Sequence, residues 1–245
     1  MTGTIALVIP AFRPPRVFPD VVRDITSLDA DRLIQSIIVV DDGSEPAYGE
    51  VFAAAGRCLR VTVVRREVNG GQGAALKTGI AHALERYPDL AGVVTADADG
   101  QHAPHDVVKI AQAFAERPDA VLLGVRTFGR DVPLRSRIGN ILTKGLVAWL
   151  GGLKVADTQT GLRGWPRRGC ERNLRNPASG FEFNLSTLLA AAAAGDTIVE
   201  QPIQTIYEPG NPSSHFRPLQ DSVRIYRVLA RHAARRLVRF RSAER

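Results

Sequence analysis

The chain has 245 residues, 44% of them hydrophobic, enough for one large domain or two small ones with a sizeable core, which excludes a mainly disordered protein. Its two cysteines, Cys58 and Cys170, show no CxxC or Cys/His metal spacing, so a disulfide framework or zinc module is not expected, and buried free thiols in a reducing setting are. The net charge of +7 sits at one end: residues 213–245 hold nine Arg against Asp221 and Glu244, the whole excess, and this points to an anionic partner, membrane surface or nucleic acid.

Residues 1–12, MTGTIALVIPAF, have no basic leader or cleavage signal, and no apolar stretch reaches the ~18 residues of a membrane span. Ile5–Ile9 reads as a buried strand stopped by Pro10, followed by a loop and a helix over Val17–Leu28. Leu33–Val40 is a second strand running into Asp41-Asp42-Gly43-Ser44. Tyr48–Ala55 is a short helix, Arg60–Arg65 a third strand, and Ala74–Arg86 a helix introduced by Asn69-Gly70-Gly71-Gln72-Gly73. Val93–Thr95 is a fourth strand, His105–Glu116 a helix and Ala120–Leu123 a fifth strand. Strands alternating with helices predict an α/β fold with a Rossmann-like, mostly parallel central sheet. Ligands of such sheets bind beyond the carboxyl ends of the strands, and four polar clusters fall there: Pro10–Arg13, Asp41–Ser44, Asn69–Gly73 and Asp97–His102.

The later chain reads as a long helix over Val132–Leu150, a loop–strand element over Asp157–Pro166 and a helix over Phe181–Ala194. Strands Thr197–Pro202 and Thr205–Tyr207, split by proline, follow, and then a basic helix over Ser222–Phe240. On that helix Arg224, Arg227, Arg231, Arg235 and Arg239 form one face, while Ile225, Tyr226, Leu229, Ala233, Leu237 and Phe240 form the other. This is the pattern of a helix lying on anionic lipid, or of one docked on the core with a solvated basic face. No nucleic-acid module is recognisable.

Asp97 and Asp99 are two carboxylates at i, i+2 at a strand end, pointing to the same side. Held so close, they call for a cation, and oxygen ligands on a short turn suit Mg²⁺ or Mn²⁺ carrying substrate phosphates. A solvated turn that caps the following helix is the alternative. Gly71–Thr78 has the length of a phosphate loop, but Leu76 replaces its second glycine. A helix N-terminus that receives a substrate, with Gly73 and Lys77 among its contacts, or a tight turn, fits better. Asp97-Ala98-Asp99-Gly100 also resembles the motif of aspartyl-phosphate phosphatases, but Gln101 follows and the strand is the fourth. Arg126, Arg135 and Arg137 suit phosphate oxygens, or a solvated helix start. Asp157–Arg163 is polar enough to line a site or form a plain turn. Glu182 is either an acid/base group or a helix-dipole carboxylate.

In this order, VIPAF, VVDDGS, NGGQGAALKTG and TADADGQH resemble family-two glycosyltransferases with the GT-A fold. RSRIGN, DTQTGLRGWP, FEFNLSTLLAA and IYEPGNPSSHFRPLQDSVRIY narrow the resemblance to the dolichol-phosphate mannose synthase branch, which glycosylates polyprenyl phosphates, over residues 4–228. The resemblance implies that Pro10, Ala11 and Asp41 cradle the base and ribose of a nucleotide sugar, with Asp42 nearby. Asp97 and Asp99, with Gln101, would hold Mg²⁺ or Mn²⁺ on its diphosphate. Arg126, Arg135, Ser136 and Arg137 would face the donor and acceptor phosphates. Asp157, Gln159 and Arg163 would line the sugar pocket, and His215 and Arg217 would close over the phosphates. Gln72 stands where relatives often carry a basic residue. Many relatives also continue into transmembrane helices, whereas this chain stops after its basic helix.

The expected protein is a catalytic domain over residues 1–220 with a basic amphipathic helix over 221–245, cytoplasmic and peripheral at the inner face of the membrane, alone or with a separate membrane partner. Its expected reaction moves a hexose from a GDP-mannose or UDP-glucose type donor to a polyprenyl phosphate with inversion. The acceptor oxygen is already anionic, so no strong general base is needed. A hydroxyl acceptor would need a base, for which Glu182 and Asp157 are the candidates. A non-catalytic nucleotide-sugar-binding partner of a membrane protein is the remaining alternative.

Overall fold

The computed structural model describes residues 4–126, 155–204, 223–230 and 232. Strand β1 spans Ile5–Ala11 and alternates strictly. Ile5, Leu7, Ile9 and Ala11 enter one apolar layer, while Ala6 and Val8 enter the other. After β1 come α1 (Phe18–Leu28), β2 (Ile34–Asp41), a 3₁₀ turn, α2 (Gly49–Gly56), β3 (Val61–Arg65) and α3 (Gln72–Arg86). Next are β4 (Gly92–Thr95), α4 (Pro104–Glu116) and β5 (Val121–Arg126). Then follow β6 (Arg163–Pro166), α5 (Arg167–Leu174), α6 (Glu182–Ala193), β7 (Ile198–Ile203) and a helical segment, α7, over 223–230. Prolines open α1 and α4 at positions where a missing N–H costs nothing.

Among the described residues seven strands lie in the order β3-β2-β1-β4-β6-β5-β7. All run parallel except β6, which enters antiparallel between β4 and β5. Helices α1, α2 and α4 cover one face of the sheet through Phe18, Val22, Ile25, Phe52, Ile110 and Phe114. Helices α3, α5 and α6 cover the other through Ala75, Ile80, Cys170 and Phe183. Burial pushes the Cys170 thiol up to about 12, so it is an inert core residue.

Two prolines lie inside strands where a break was expected. Pro10 continues β1 because β4 has already ended: Thr95 pairs with Val8, and beyond it β1 has β2 on one side alone. Pro202 lies in β7, at the end of the strand order, where a missing donor is tolerated. Helix α5 was not expected from the sequence.

The stagger of β4 against β1 shapes the site. β1 runs three residues, about 10 Å, past the end of β4. The chain from Ala96 to Ala103 turns in that notch. Because β6 is reversed, it begins at this same edge with Arg163, which brings the loop over 157–162 beside the end of β4. On α7, Ile225 and Leu229 dock on Leu185 and Leu189 of α6. Tyr226, expected on the apolar face, is 51% exposed. One residue step turns a helix by about 100°, which carries Tyr226 off the stripe shared by Ile225 and Leu229. Among the described residues no helix is long and apolar enough to cross a membrane.

Candidate active site

Asp97 follows Thr95 by two residues, and its carboxylate is held on both sides. Gln72 Nε2, at the start of α3, donates to Oδ1 at 2.7 Å. His102 Nε2 lies 3.2 Å from Oδ2. Burial pushes the Asp97 carboxyl up, but the His102 contact, the charges of His102 and Arg126 and the Gln72 bond outweigh it and hold it below the usual range. Asp99 has the opposite fate. Burial and the neighbouring Asp97 charge raise it to about 6, against the Gln101 N–H that donates to its Oδ1 at 3.0 Å. Two carboxylates whose charges oppose each other fit a hard cation, and Gln101 on the same turn brings an amide oxygen. The backbone at Gly161 comes close to Asp97: a Cβ there would stand 2.3 Å from both of its carboxylate oxygens. Thr95 Oγ1 donates to the Gly161 carbonyl at 2.8 Å and fixes that approach.

Arg126 ends β5. Its Nε and one terminal nitrogen donate to Asp157 at 2.6 and 3.1 Å in a fork. Asp157 is fully buried and also accepts from the Gln159 and Thr160 N–H groups. Burial opposes its ionisation, but these bonds and the Arg126 charge hold its carboxyl below the usual range. Asp157 is therefore a charged anchor of the loop and a poor proton acceptor. Gln159 stays half-buried on the same turn.

Arg163 does not line an open pocket. It is fully buried, and its guanidinium donates to the carbonyls of Thr160, Asn184 and Thr158 and lies over Trp165. Burial brings it down to about 10 despite the charges of Asp157 and Asp97. Its work is to tie the loop to α6.

At the end of β2, Asp41 and Asp42 are both buried beside Pro10 and Ala11. Asp41 Oδ1 accepts from the Ser44 N–H at 2.8 Å. Asp42 accepts from the Gly70 and Gly71 N–H groups and pairs with Arg66 at 2.8 Å. Burial raises the Asp42 carboxyl despite these partners. Asp42 thus organises the glycine cluster. Gly73 is buried where a side chain would strike Phe183, so it serves helix packing, and Lys77 Nζ donates to the Asn176 carbonyl at 2.9 Å. The Lys77 ammonium expected at the donor is thus engaged by a backbone carbonyl instead. β2 and β4 flank β1, so the ends carrying Asp41 and Asp97 stand two strand spacings apart across the sheet, about 10 Å, and are offset along it by the stagger of β4. A nucleoside diphosphate reaches across such a gap.

Arg135, Ser136, Arg137, His215 and Arg217 lie outside the described residues. The site also gains residues that the sequence did not single out for it. His102 and Gly161 stood inside motifs already noticed. Gln72 stood in the glycine cluster, while Asn184 is a polar residue in an apolar helix, inside the motif FEFNLSTLLAA but given no role there.

The sequence model of glycosyl transferase family 2 matches residues 6–174. The chain belongs to glycosyl transferase family 2. As such it is a nucleotide-sugar-dependent glycosyltransferase. This family 2 glycosyltransferase is 31% identical over 208 residues to an uncharacterised protein of Methanocaldococcus jannaschii, covering 83% of this chain and 82% of that one. It is 30% identical over 223 residues to the UDP-N-acetylglucosamine–dolichyl-phosphate N-acetylglucosaminyltransferase of Methanococcus voltae, covering 83% of this chain and 86% of the relative. Glucosyl-3-phosphoglycerate synthase from Mycobacterium tuberculosis, solved with Mn²⁺, uridine diphosphate and phosphoglyceric acid, superposes with a TM-score of 0.71 at 20% identity. The match covers 94% of this chain and 78% of that one. The fold of the family 2 glycosyltransferase is therefore GT-A, as expected.

Proposed function

We propose that this glycosyltransferase moves a hexose or N-acetylhexosamine from a nucleotide diphosphate sugar to a polyprenyl phosphate, with inversion and with a divalent metal. The observation that carries the acceptor is the state of the two candidate bases. Asp157 is buried in the fork of Arg126. Glu182 spends Oε1 on the Ser179 and Gly180 N–H groups, and its Oε2, which has no hydrogen-bond partner among the described residues, is buried out of reach of a substrate hydroxyl. Neither is poised to take a proton from a hydroxyl, whereas a phosphate monoester needs no base. The dolichyl-phosphate acceptor of the Methanococcus voltae relative supports the same class.

Asp97 and Asp99, with Gln101, would hold Mg²⁺ or Mn²⁺, which when bound stabilises the charge developing on the departing diphosphate. Pro10, Ala11, Asp41 and Asp42 would receive the nucleoside at the end of β2. Arg126 and Asp157 hold the loop of Gln159 beside the donor, and Arg135, Arg137, His215 and Arg217 would supply the phosphate contacts. Residues 1–220 would be the catalytic domain. The basic helix over 221–245 would rest on an anionic membrane surface, its Arg224 and Arg227 exposed while Ile225 and Leu229 dock on α6.

Incubating the chain with radiolabelled UDP- or GDP-sugars, Mn²⁺ and undecaprenyl or dolichyl phosphate tests the reading. Label should pass into organic solvent, be released by mild acid and be absent with Asp99→Ala. Transfer to water-soluble hydroxyl acceptors alone refutes the lipid acceptor, and full activity of Asp99→Ala refutes the metal site.

A further inference from the structure

Asp97 draws one of its partners from a distant element. Gln72, 25 residues away, donates its side-chain amide to Oδ1 at 2.7 Å. Gln72 is the first residue of α3, and its amide has two unlike ends. Asn184 Nδ2, on the first turn of α6, lies 3.5 Å from Gln72 Oε1. The Asp97 carboxylate only accepts, so the NH₂ end of Gln72 faces it, and Oε1 is left to accept from Asn184.

The backbone holds this arrangement in place. Gly71 caps α3 at φ 90, and a Cβ there would meet the Ser179 carbonyl at 2.8 Å. The Ala74 N–H donates to that same carbonyl at 2.9 Å. Gly73 lets α3 close on Phe183. The start of α3 is thus clamped on the start of α6. The Asn184 carbonyl in turn accepts from Arg163, which gathers Thr158 and Thr160. Asn184 therefore joins α3, through it the Asp97 turn, and the loop over 157–162.

Charge decides what the contact can do. A Lys or Arg at position 72 would pair with Asp97 and compete with a cation for it. An amide orients the carboxylate without neutralising it. Arg126, whose charge also reaches Asp97, gives its fork to Asp157. We propose that Gln72 and Asn184 form a neutral amide relay that orients Asp97 Oδ1 for a divalent cation without adding a positive charge of its own. Both are positioning residues that act through Asp97, and the proposal rests on the reading of Asp97 and Asp99 as cation ligands.

Mn²⁺ titrated into the full chain in the presence of UDP or GDP, followed by electron paramagnetic resonance, tests it without turnover. Wild type should bind Mn²⁺ and Asp99→Asn should not. Gln72→Ala should raise the Mn²⁺ Kd about 10-fold, the scale of losing a group that orients a ligand, with an unchanged melting temperature. Gln72→Met, which keeps the length of the side chain without its donor, should do the same if the alanine variant unfolds. Gln72→Lys should bind more weakly still. Asn184→Ala should act in the same direction, and the double variant should be no worse than the weaker-binding single, because either change breaks the relay. Wild-type affinity in Gln72→Ala or Gln72→Met, or additive losses in the double variant, overturns the relay while Asp99→Asn upholds the metal site. Equal Mn²⁺ binding by wild type and Asp99→Asn overturns the metal site and the relay with it.

Discussion

Gly161→Ala is the sharpest test of how closely the loop approaches Asp97. Gly161 sits where a Cβ would lie 2.3 Å from Asp97 Oδ1 and 2.3 Å from Oδ2. Ordinary van der Waals contact begins near 3.4 Å, so carboxylate and loop must separate by about 1 Å. The loop resists, because Thr95 binds the Gly161 carbonyl and Asp157 binds two backbone N–H groups just before it. The carboxylate is the part that yields. It then loses its alignment with Gln72 and with any bound cation. Misplacement of about 1 Å in a reacting constellation costs about 100-fold, or about 2.7 kcal/mol of transition-state stabilisation. The expected result is a kcat/KM about 100-fold lower in the lipid-extraction assay, with a raised Mn²⁺ requirement and a melting temperature within a few degrees of wild type. Activity within threefold of wild type at the wild-type Mn²⁺ optimum would refute the reasoning.

The raised Asp99 carboxyl sets a pH dependence. With a folded value of about 6 against a usual value near 4, the metal-free folded state binds a proton that the unfolded chain has lost, so its stability falls as pH rises through that window. A cation removes that penalty, so stabilisation by Mn²⁺ in thermal melts should grow from pH 5 to pH 7; an equal shift at both would contradict it. Arg126→Ala leaves Asp157 charged and buried without its fork and should lose about 3 kcal/mol in urea unfolding at pH 7. Because the Asp157 carboxyl is depressed in the fold, that stability exists above its usual range and disappears as pH falls through the folded value. The gap to wild type should therefore narrow in acid, and Asp157→Asn should restore part of the loss in the Arg126→Ala background. Leu229→Ala empties a docked position of α7 at a cost of about 2 kcal/mol, so amide exchange over 223–230 should quicken roughly 30-fold while β1 and β2 keep their protection.

Much of the frame was legible because it rests on local periodicity. The apolar runs Ile5–Ile9 and Ile37–Val40, each ending in polar residues, marked buried parallel strands and the edge where they stop. The spacing of Asp97 and Asp99 showed two carboxylates on one turn, and the ordered motifs named the family. The prolines misled, since Pro10 and Pro202 look like breaks until the neighbouring strand is seen to have ended or, among the described residues, to be absent on one side. Arg163 and Lys77 misled for a related reason. A basic residue near a polar motif can face a ligand or a carbonyl, and the local sequence is the same in both cases.

The sequence by itself determined the alternation of strands and helices, the polar edge, the acidic pair and the basic end, because each is written in residues within a few positions of one another. Only the tertiary structure decided which groups meet there. The insertion of β6 antiparallel between β4 and β5 brings Gly161 against Asp97 and the Asp157 turn against Arg126, 31 residues from it. The docking of α6 on α3 brings Asn184 to Gln72 across 112 residues. Strand order and helix packing set those contacts, and a local pattern holds no record of the partner it will meet.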